Sequence, residues 1–130
     1  MADLDLNKQQ KLAVCSDERN IVVAASAGTG KTTVLVDRVM KKVLEGKADL
    51  DSLLILTFTK AAAQNMKDRL EAALRKRERT EEDADERHRL LQQIDKLQTA
   101  DISTIDSYIN KLVRKYSYRL DIDPEYQILS

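Results

Sequence analysis

The sequence predicts an α/β fold in which a parallel sheet is flanked by helices. Two apolar runs typical of buried strands, 21–24 and 53–56, each lead within a few residues into a segment with helical periodicity. A shorter strand candidate at 100–104 also leads into a helix. This alternation with short connections favours parallel strands. The length, 130 residues, corresponds to one domain.

Charge and composition narrow the function classes. Lys+Arg and Asp+Glu balance at 22 each, so a polyanion can be bound only at a local patch. The single cysteine, Cys15, allows no internal disulfide and fits a reducing compartment. No apolar run approaches the ~20 residues of a membrane span, and the polar N-terminus is unlike a signal peptide. We therefore expect a soluble, cytoplasmic protein that does not enter a membrane.

The first helix is predicted at 6–16 and the second from about 33 to 45. Asn7 and Gln10 have capping-box spacing at the start of the first helix, whose apolar face is assigned to Leu12 and Ala13. Gly46 stands where a helix C-cap glycine is expected. The run at 53–56 is continuous rather than alternating, which favours a strand buried on both faces.

Three more helices are predicted in the second half of the chain. Between them, the charged stretch 74–85 is interpreted as a solvated helix end, a loop and a new helix start. The lone His88 is assigned to the solvated surface. The apolar positions expected on the three helices are, in chain order, Ala62, Met66, Leu70 and Ala73; Leu90, Leu91, Ile94 and Leu97; and Ile105, Ile109, Leu112, Val113, Tyr116 and Leu120.

Between the first strand and the second helix lies a segment suited to binding phosphates: Ala25-Ser26-Ala27-Gly28-Thr29-Gly30-Lys31-Thr32. Gly28 and Gly30 let backbone amides turn towards an anion, and the helix N-terminus adds further N–H donors. Lys31 would contact the β- and γ-phosphates of a nucleoside triphosphate, and the Thr32 hydroxyl would bind Mg²⁺. The strict motif has glycine where Ala25 stands. The alternative is a glycine-containing strand–helix turn without a ligand.

Taken with its surroundings, this segment resembles superfamily 1 (UvrD/Rep-like) DNA helicases. The run 6–14, Leu-Asn-Lys-Gln-Gln-Lys-Leu-Ala-Val, is similar to their Q-motif, in which Gln10 would read the adenine edge. The phosphate loop resembles their motif I, where alanine in the first place is usual. The resemblance implies a RecA-like fold with ATP and Mg²⁺ as cofactors. It assigns Lys31 and Thr32 catalytic roles and nucleotide contacts to Gln10, Ala25 to Thr32, and Thr33.

Two further segments resemble DNA-binding motifs of this family. Residues 57–66 are similar to motif Ia, which implies single-strand contacts by Thr57, Phe58, Thr59 and Lys60; core packing is the alternative for Phe58. Residues 102–108 are similar to motif Ib, which makes Thr104 and Ser107 DNA candidates. Asp106 replaces the family's His there, and we expect it to cap the following helix instead.

The whole pattern is most similar to the AddA/RexA type of bacterial ATP-dependent helicase/nuclease subunits, which process double-strand breaks for recombination. This resemblance implies two partners: DNA, single- and double-stranded, and a second helicase/nuclease subunit. Residues 1–130 would form the N-terminal portion of motor domain 1A, without motif II and later motifs. We therefore expect no turnover by the isolated chain. An unfinished sheet edge also favours self-association. The alternatives are a non-catalytic remnant or interaction module, and a small complete NTPase or phosphotransferase.

Overall fold

The computed structural model describes residues 6–22 and 30–127. Strands and helices alternate in the second half of the described chain, as the sequence predicts. The helices are α1 Lys8–Cys15, α2 Lys31–Leu44, α3 Lys60–Thr80, α4 Ala84–Leu97, α5 Ile105–Lys115 and α6 Ser117–Leu120, and the strands are β1 Leu54–Thr57 and β2 Asp101–Thr104. A 3-10 turn, Leu50–Ser52, precedes β1.

The two strands form a parallel pair, with Leu54 opposite Asp101 and Thr57 opposite Thr104. The connection between them runs through α3 and α4, and α3 packs on both strands. Because the strands are parallel, both carboxyl ends lie at one edge of the sheet. β1 leads into α3 and β2 leads into α5, so two helices begin at this edge.

The main core lies between the sheet and the three helices α2, α3 and α4. Leu70 and Leu74 of α3 and Leu90 of α4 are completely buried at its centre. Ile55 and Ile102 contribute the sheet face that contacts these helices. A second, small cluster of Ala13, Val14 and Val34, with Leu6 packed against it, joins α1 to α2. The helix that carries Gln10 is therefore held by α2 rather than by the main core.

The strand predicted at 21–24, the first in chain order, is wrong for the two residues of it that the structure describes. Ile21 and Val22 form no strand, and the Val22 side chain is 97% exposed. Residues 23 and 24 lie outside the described residues. An apolar run shows only that burial would be favourable, whereas a strand also needs a neighbour to satisfy its backbone N–H and C=O groups. The described sheet consequently has two strands.

The prediction that the 53–56 run is buried on both faces is also wrong. Ile55 is buried, but Leu54 and Leu56 are 46% and 41% exposed. α3 packs on the strand pair, and Ile55 lies on the covered face. Side chains alternate between the two faces of a strand, so Leu54 and Leu56 point away from that helix. One side of the sheet is core, and on the other side β1 exposes two leucines.

Several predicted helix faces differ from the structure at one residue. In α1, Leu12 is 64% exposed and Val14 is buried instead beside Ala13. In α3, Ala63 is buried rather than Ala62. Leu91 of α4 is 43% exposed. In each case a three-residue or four-residue spacing fits the apolar pattern equally well, and the position of the neighbouring helix decides between them.

The single helix predicted from Ile105 to Leu120 is two helices. α5 ends at Lys115, and Tyr116, at φ −106° and ψ 16°, separates it from α6. The apolar stripe that the sequence predicts is present on α5, with Ile105 and Ile109 one turn apart. Neither is buried, and no residue of α5 is. Amphipathic periodicity predicts the helix here but not its burial.

Three of the predicted helix ends are confirmed. Asn7 Oδ1 accepts from the Gln10 backbone N–H, and Gln10 Oε1 accepts from the Asn7 backbone N–H, both at 2.9 Å. Gly46 has φ 68°, and its N–H and that of Lys47 donate to the last turn of α2. In the charged stretch, α3 continues to Thr80, and Asp83 caps α4 by accepting from the backbone of Asp85 at 2.8 Å.

A buried amide ties α4 to the turn before β1. The Gln93 side chain is 2% exposed; its Oε1 accepts from the Leu50 backbone N–H at 3.0 Å, and its Nε2 donates to Asp49 Oδ1 at 2.8 Å. Lys96, together with this amide, holds the pKa of Asp49 below its ordinary value. Both ends of the amide are thus satisfied, which makes burial of a polar side chain tolerable here. Among the described residues, no helix has the length and apolarity needed to cross a membrane.

Candidate nucleotide and nucleic-acid sites

The start of α2 has the backbone geometry of an anion site. Gly30 is its N-cap, at φ 78° and ψ 27°, a left-handed conformation that glycine adopts without strain. The backbone N–H groups of Lys31, Thr32 and Thr33 in the first turn have no partner within the helix. They therefore point out of the N-terminal end of α2, at the positive end of the helix dipole. The predicted contacts Ala25, Ser26, Ala27, Gly28 and Thr29 lie outside the described residues.

Lys31 and Thr32 occupy the first two positions of this helix. Lys31 is exposed and forms no ion pair with any described residue. A cation at a helix N-terminus is unfavourable by about 0.3–1 kcal/mol, so Lys31 weakens the helix it begins. Thr32 is half-buried beside it. A cation that forms no ion pair with a described residue, beside N–H groups that have no partner within the helix, is an arrangement that an anion would stabilise.

Gln10 lies against this helix start. A Cβ atom on Gly30 would stand 3.4 Å from Gln10 Nε2, so the amide is in contact range of the end of the phosphate loop. Gln10 Oε1 is held by the Asn7 backbone N–H. The structure thus brings together three residues that the sequence predicts to share a nucleotide: Gln10, Gly30 and Lys31.

Arg69 of α3 is a neighbour of this site that sequence reasoning missed. Its Nη1 donates to the Thr33 hydroxyl at 3.2 Å. Behind this contact, a cleft of about 570 Å³ runs between α2 and α3. Burial raises the pKa of the Asp37 carboxyl in its wall. Arg69 reaches Thr33 only because α3 packs on α2, so no local sequence pattern predicts this contact.

The predicted single-strand segment lies at the carboxyl edge of the sheet. Phe58, directly after β1, is 95% exposed, so the alternative of core packing is wrong. The Thr57 hydroxyl donates to the Thr59 carbonyl at 3.0 Å, and Thr59 Oγ1 caps α3 by accepting from the Ala62 backbone N–H at 3.1 Å. The two threonines thus shape a tight turn that carries the aromatic ring into solvent.

Beside this turn, a cleft of about 160 Å³ lies between α3 and the end of β2. Its walls include Lys60 and Lys67, which form no ion pair with a described residue, together with Gln64, Ser103, Thr104 and Ser107. The sequence predicted Lys60, Thr104 and Ser107 but missed the other three. Lys60, Gln64 and Lys67 are spaced to share one face of α3, a signal that becomes readable once the helix is known to face β2.

The start of α5 differs from the prediction in one residue. Thr104, not Asp106, is its N-cap, and Thr104 Oγ1 accepts from the Ser107 backbone N–H at 3.1 Å. The Thr104 hydroxyl also donates to Ser107 Oγ at 2.8 Å. Asp106 lies in the first turn instead, where its charge suits the helix dipole. The N-cap is the residue before the first helical residue, and here that residue is Thr104, the last residue of β2.

A divalent cation at the α2 start would have Thr32 as its predicted protein ligand. Within residues 6–22 and 30–127, no group of three or more His, Cys, Asp or Glu side chains is arranged to hold a metal ion. A single hydroxyl fits a cation held largely by a nucleotide's phosphates and water, as is usual for Mg²⁺.

Comparison with known proteins identifies the family of this chain. The sequence model of the UvrD/REP helicase N-terminal domain family matches residues 6–130 of this chain. The A-type subunit of the ATP-dependent helicase/nuclease is 43% identical over 129 residues in Pediococcus pentosaceus and 44% identical over 129 residues in Enterococcus faecalis, in each case over 99% of this chain. The exonuclease/helicase subunit RexA of Lactococcus lactis subsp. cremoris is 42% identical over 130 residues, all of this chain. The chain spans 10% of the first two relatives and 11% of the third. The chain belongs to the UvrD/REP helicase N-terminal domain family.

Proposed function

We propose that this chain is the N-terminal portion of the first motor domain of a cytoplasmic, ATP-dependent DNA helicase/nuclease subunit that functions in double-strand break repair. It would bind ATP–Mg²⁺ and single-stranded DNA and work with a second helicase/nuclease subunit. The observation that carries the proposal is the Gln10 amide at Gly30, one residue before Lys31. An adenine reader, a left-handed glycine and a phosphate-binding lysine at one helix start match one ligand, ATP.

The residues at the α2 start would each contact a different part of ATP–Mg²⁺. The first-turn N–H groups and Lys31 would bind phosphate oxygens, and Thr32 would ligate Mg²⁺. Mg²⁺ would supply charge neutralisation on the phosphates. Lys31 would hold a fixed positive charge where negative charge develops in phosphoryl transfer. Gln10 would add purine selectivity from the other side of Gly30.

The cleft at the carboxyl edge of the sheet supports a single-strand contact. Lys60 and Lys67 supply two cations, neither of them ion-paired with a described residue, for backbone phosphates, and the first turn of α5 adds N–H donors beside Ser107. The exposed Phe58 ring can stack a base without sequence preference. Helix α3 contributes to both sites, since Lys67 lines this cleft and Arg69 contacts α2. That shared helix supports communication between nucleotide and DNA.

The experiment that tests the proposal is a titration of the chain with Mg²⁺·ATP, with and without single-stranded DNA, following binding and phosphate release. We expect weak ATP binding without release, because residues 1–130 are expected to lack motif II, the acidic motif that would activate water. Protein concentrations should be those at which size-exclusion chromatography gives a monomer, since the open face of β1 supports self-association. Phosphate release would favour the small complete NTPase. Folding without any ligand response would favour the non-catalytic remnant.

Phe58→Leu is expected to weaken binding of a single-stranded oligonucleotide by about 1–3 kcal/mol, roughly 5- to 150-fold, the contribution of one stacked base. Because the ring is 95% exposed, the free energy of unfolding should stay unchanged. Fluorescence anisotropy of a labelled oligonucleotide measures the affinity, and urea unfolding measures the stability. Leu56→Ala, on the exposed face of the preceding strand β1, is the control. Equal losses for both variants would contradict the assignment.

A further inference from the structure

Arg38 joins the two helices of the nucleotide site. It lies on α2, and its Nη1 donates to the backbone carbonyls of Ala13 at 2.7 Å and Ser16 at 2.9 Å. Ala13 is in the last turn of α1 and Ser16 is its C-cap. These carbonyls have no partner further along α1, because a helix leaves its last C=O groups unsatisfied. One partly buried guanidinium therefore completes the end of α1.

Among the described residues, α1 packs on α2. The helix has eight residues, too short to be stable alone in water. Its apolar attachment is the small cluster of Ala13 and Val14 with Val34 of α2. Hydrogen bonds to a charged donor are among the stronger ones, and the carbonyl end of a helix attracts a cation. Arg38 is thus a main determinant of how α1 lies along α2.

The same two helices carry the residues that share the nucleotide. Gln10 lies one turn before Ala13 on α1, while Gly30 and Lys31 begin the helix that bears Arg38. We propose that Arg38 is a positioning residue that sets the Gln10 amide at the base of the bound nucleotide. This inference rests on the proposed function. Arg38 itself would touch neither phosphate nor base, so its loss should remove the contribution of the base and spare that of the phosphates.

The test compares ATP with inorganic triphosphate, each with Mg²⁺, by isothermal titration of the whole chain. We expect Arg38→Ala to reduce the preference for ATP over triphosphate about 2- to 12-fold, the worth of one hydrogen bond, with triphosphate affinity unchanged. Arg38→Lys keeps the charge but has no planar fork and should lose part of the preference. Lys42→Ala removes one charge from the same helix and should leave the ATP preference and both affinities unchanged.

Hydrogen exchange supplies the second readout. Amides of α1 should exchange faster in Arg38→Ala than in Lys42→Ala, whereas amides of α3 and α4 should keep their rates. Circular dichroism of each variant checks folding. An unchanged ATP preference, or unchanged exchange in α1, would overturn the positioning role. A parallel fall in ATP and triphosphate affinity would also overturn it, because Arg38 would then support the phosphate site or the fold as a whole.

The proposed phosphate site has its own control. Lys31→Ala should weaken triphosphate binding about 10- to 150-fold, and if the triphosphate affinity is unchanged, the phosphate site fails whatever Arg38 does. Triphosphate binding that depends on Lys31 with no preference for ATP in the unmodified chain would leave the phosphate site standing. That result would refute the role of Gln10, and with it that of Arg38.

Discussion

Lys31→Ala is expected to weaken triphosphate and ATP binding about 10- to 150-fold, because hydrogen bonds to charged groups contribute about 1.5–3 kcal/mol. The free energy of unfolding should not fall. Lys31 is exposed and occupies the first position of α2, where a cation opposes the helix dipole by about 0.3–1 kcal/mol. Alanine removes that cost and favours helix. Calorimetric titration and urea unfolding of the same sample would measure both effects.

Lys42→Ala, at the opposite end of α2, is the control for this prediction. Lys42 lies in the last turn of α2, where a positive charge suits the dipole. Its replacement should lower the stability slightly and leave nucleotide affinity unchanged, the opposite pattern to Lys31→Ala. A loss of affinity in both variants would mean that general charge, rather than the α2 start, attracts the ligand. Unchanged affinity in Lys31→Ala would contradict the assignment of a phosphate site at the α2 start.

Leu70→Ala is expected to lower the free energy of unfolding by about 2–5 kcal/mol, the range for deleting a buried leucine side chain. Leu70 is completely buried at the middle of α3, where that helix contacts α2 and the strands. A single domain has only about 5–15 kcal/mol in total. The variant should therefore show a clearly lowered midpoint in urea, followed by circular dichroism at a helix wavelength.

Leu91→Ala provides the same chemical change at an exposed site. Leu91 lies on α4 and is 43% exposed, so its truncation should cost no more than about 1 kcal/mol. The comparison separates core packing from helix propensity, because both variants replace leucine by alanine within a helix. Similar losses in the two proteins would show that α3 is not packed as described.

The local features of the fold could be read from the sequence because each is decided by neighbours along the chain. The Asn7–Gln10 capping box and the left-handed Gly46 are set by residues within one turn of the helix end. The helix start at Asp83 follows the same logic. Gly30 belongs here too, since a phosphate loop requires a residue that tolerates positive φ before its helix.

The features that the sequence could not supply depend on which surfaces meet. The 53–56 run is equally apolar whether one or both of its faces are covered, and the structure covers only the Ile55 side. Gln10, Gly30 and Lys31 could be named from motifs, but Arg69 and Lys67 could not. They become site residues only because α3 packs against α2 on one side and β2 on the other.

The capping box of α1 also orients the Gln10 amide. The Asn7 backbone N–H can be satisfied only by an acceptor, so the oxygen of the amide faces Asn7 and its NH₂ group is directed elsewhere. Adenine offers a donor at N6 beside an acceptor at N7, whereas guanine offers acceptors at both O6 and N7. An amide whose two ends cannot exchange would distinguish these edges, while a freely rotating one would adapt to either. A backbone group at residue 7, with no nucleotide contact of its own, would thus decide the polarity of the proposed contact between Gln10 and a purine.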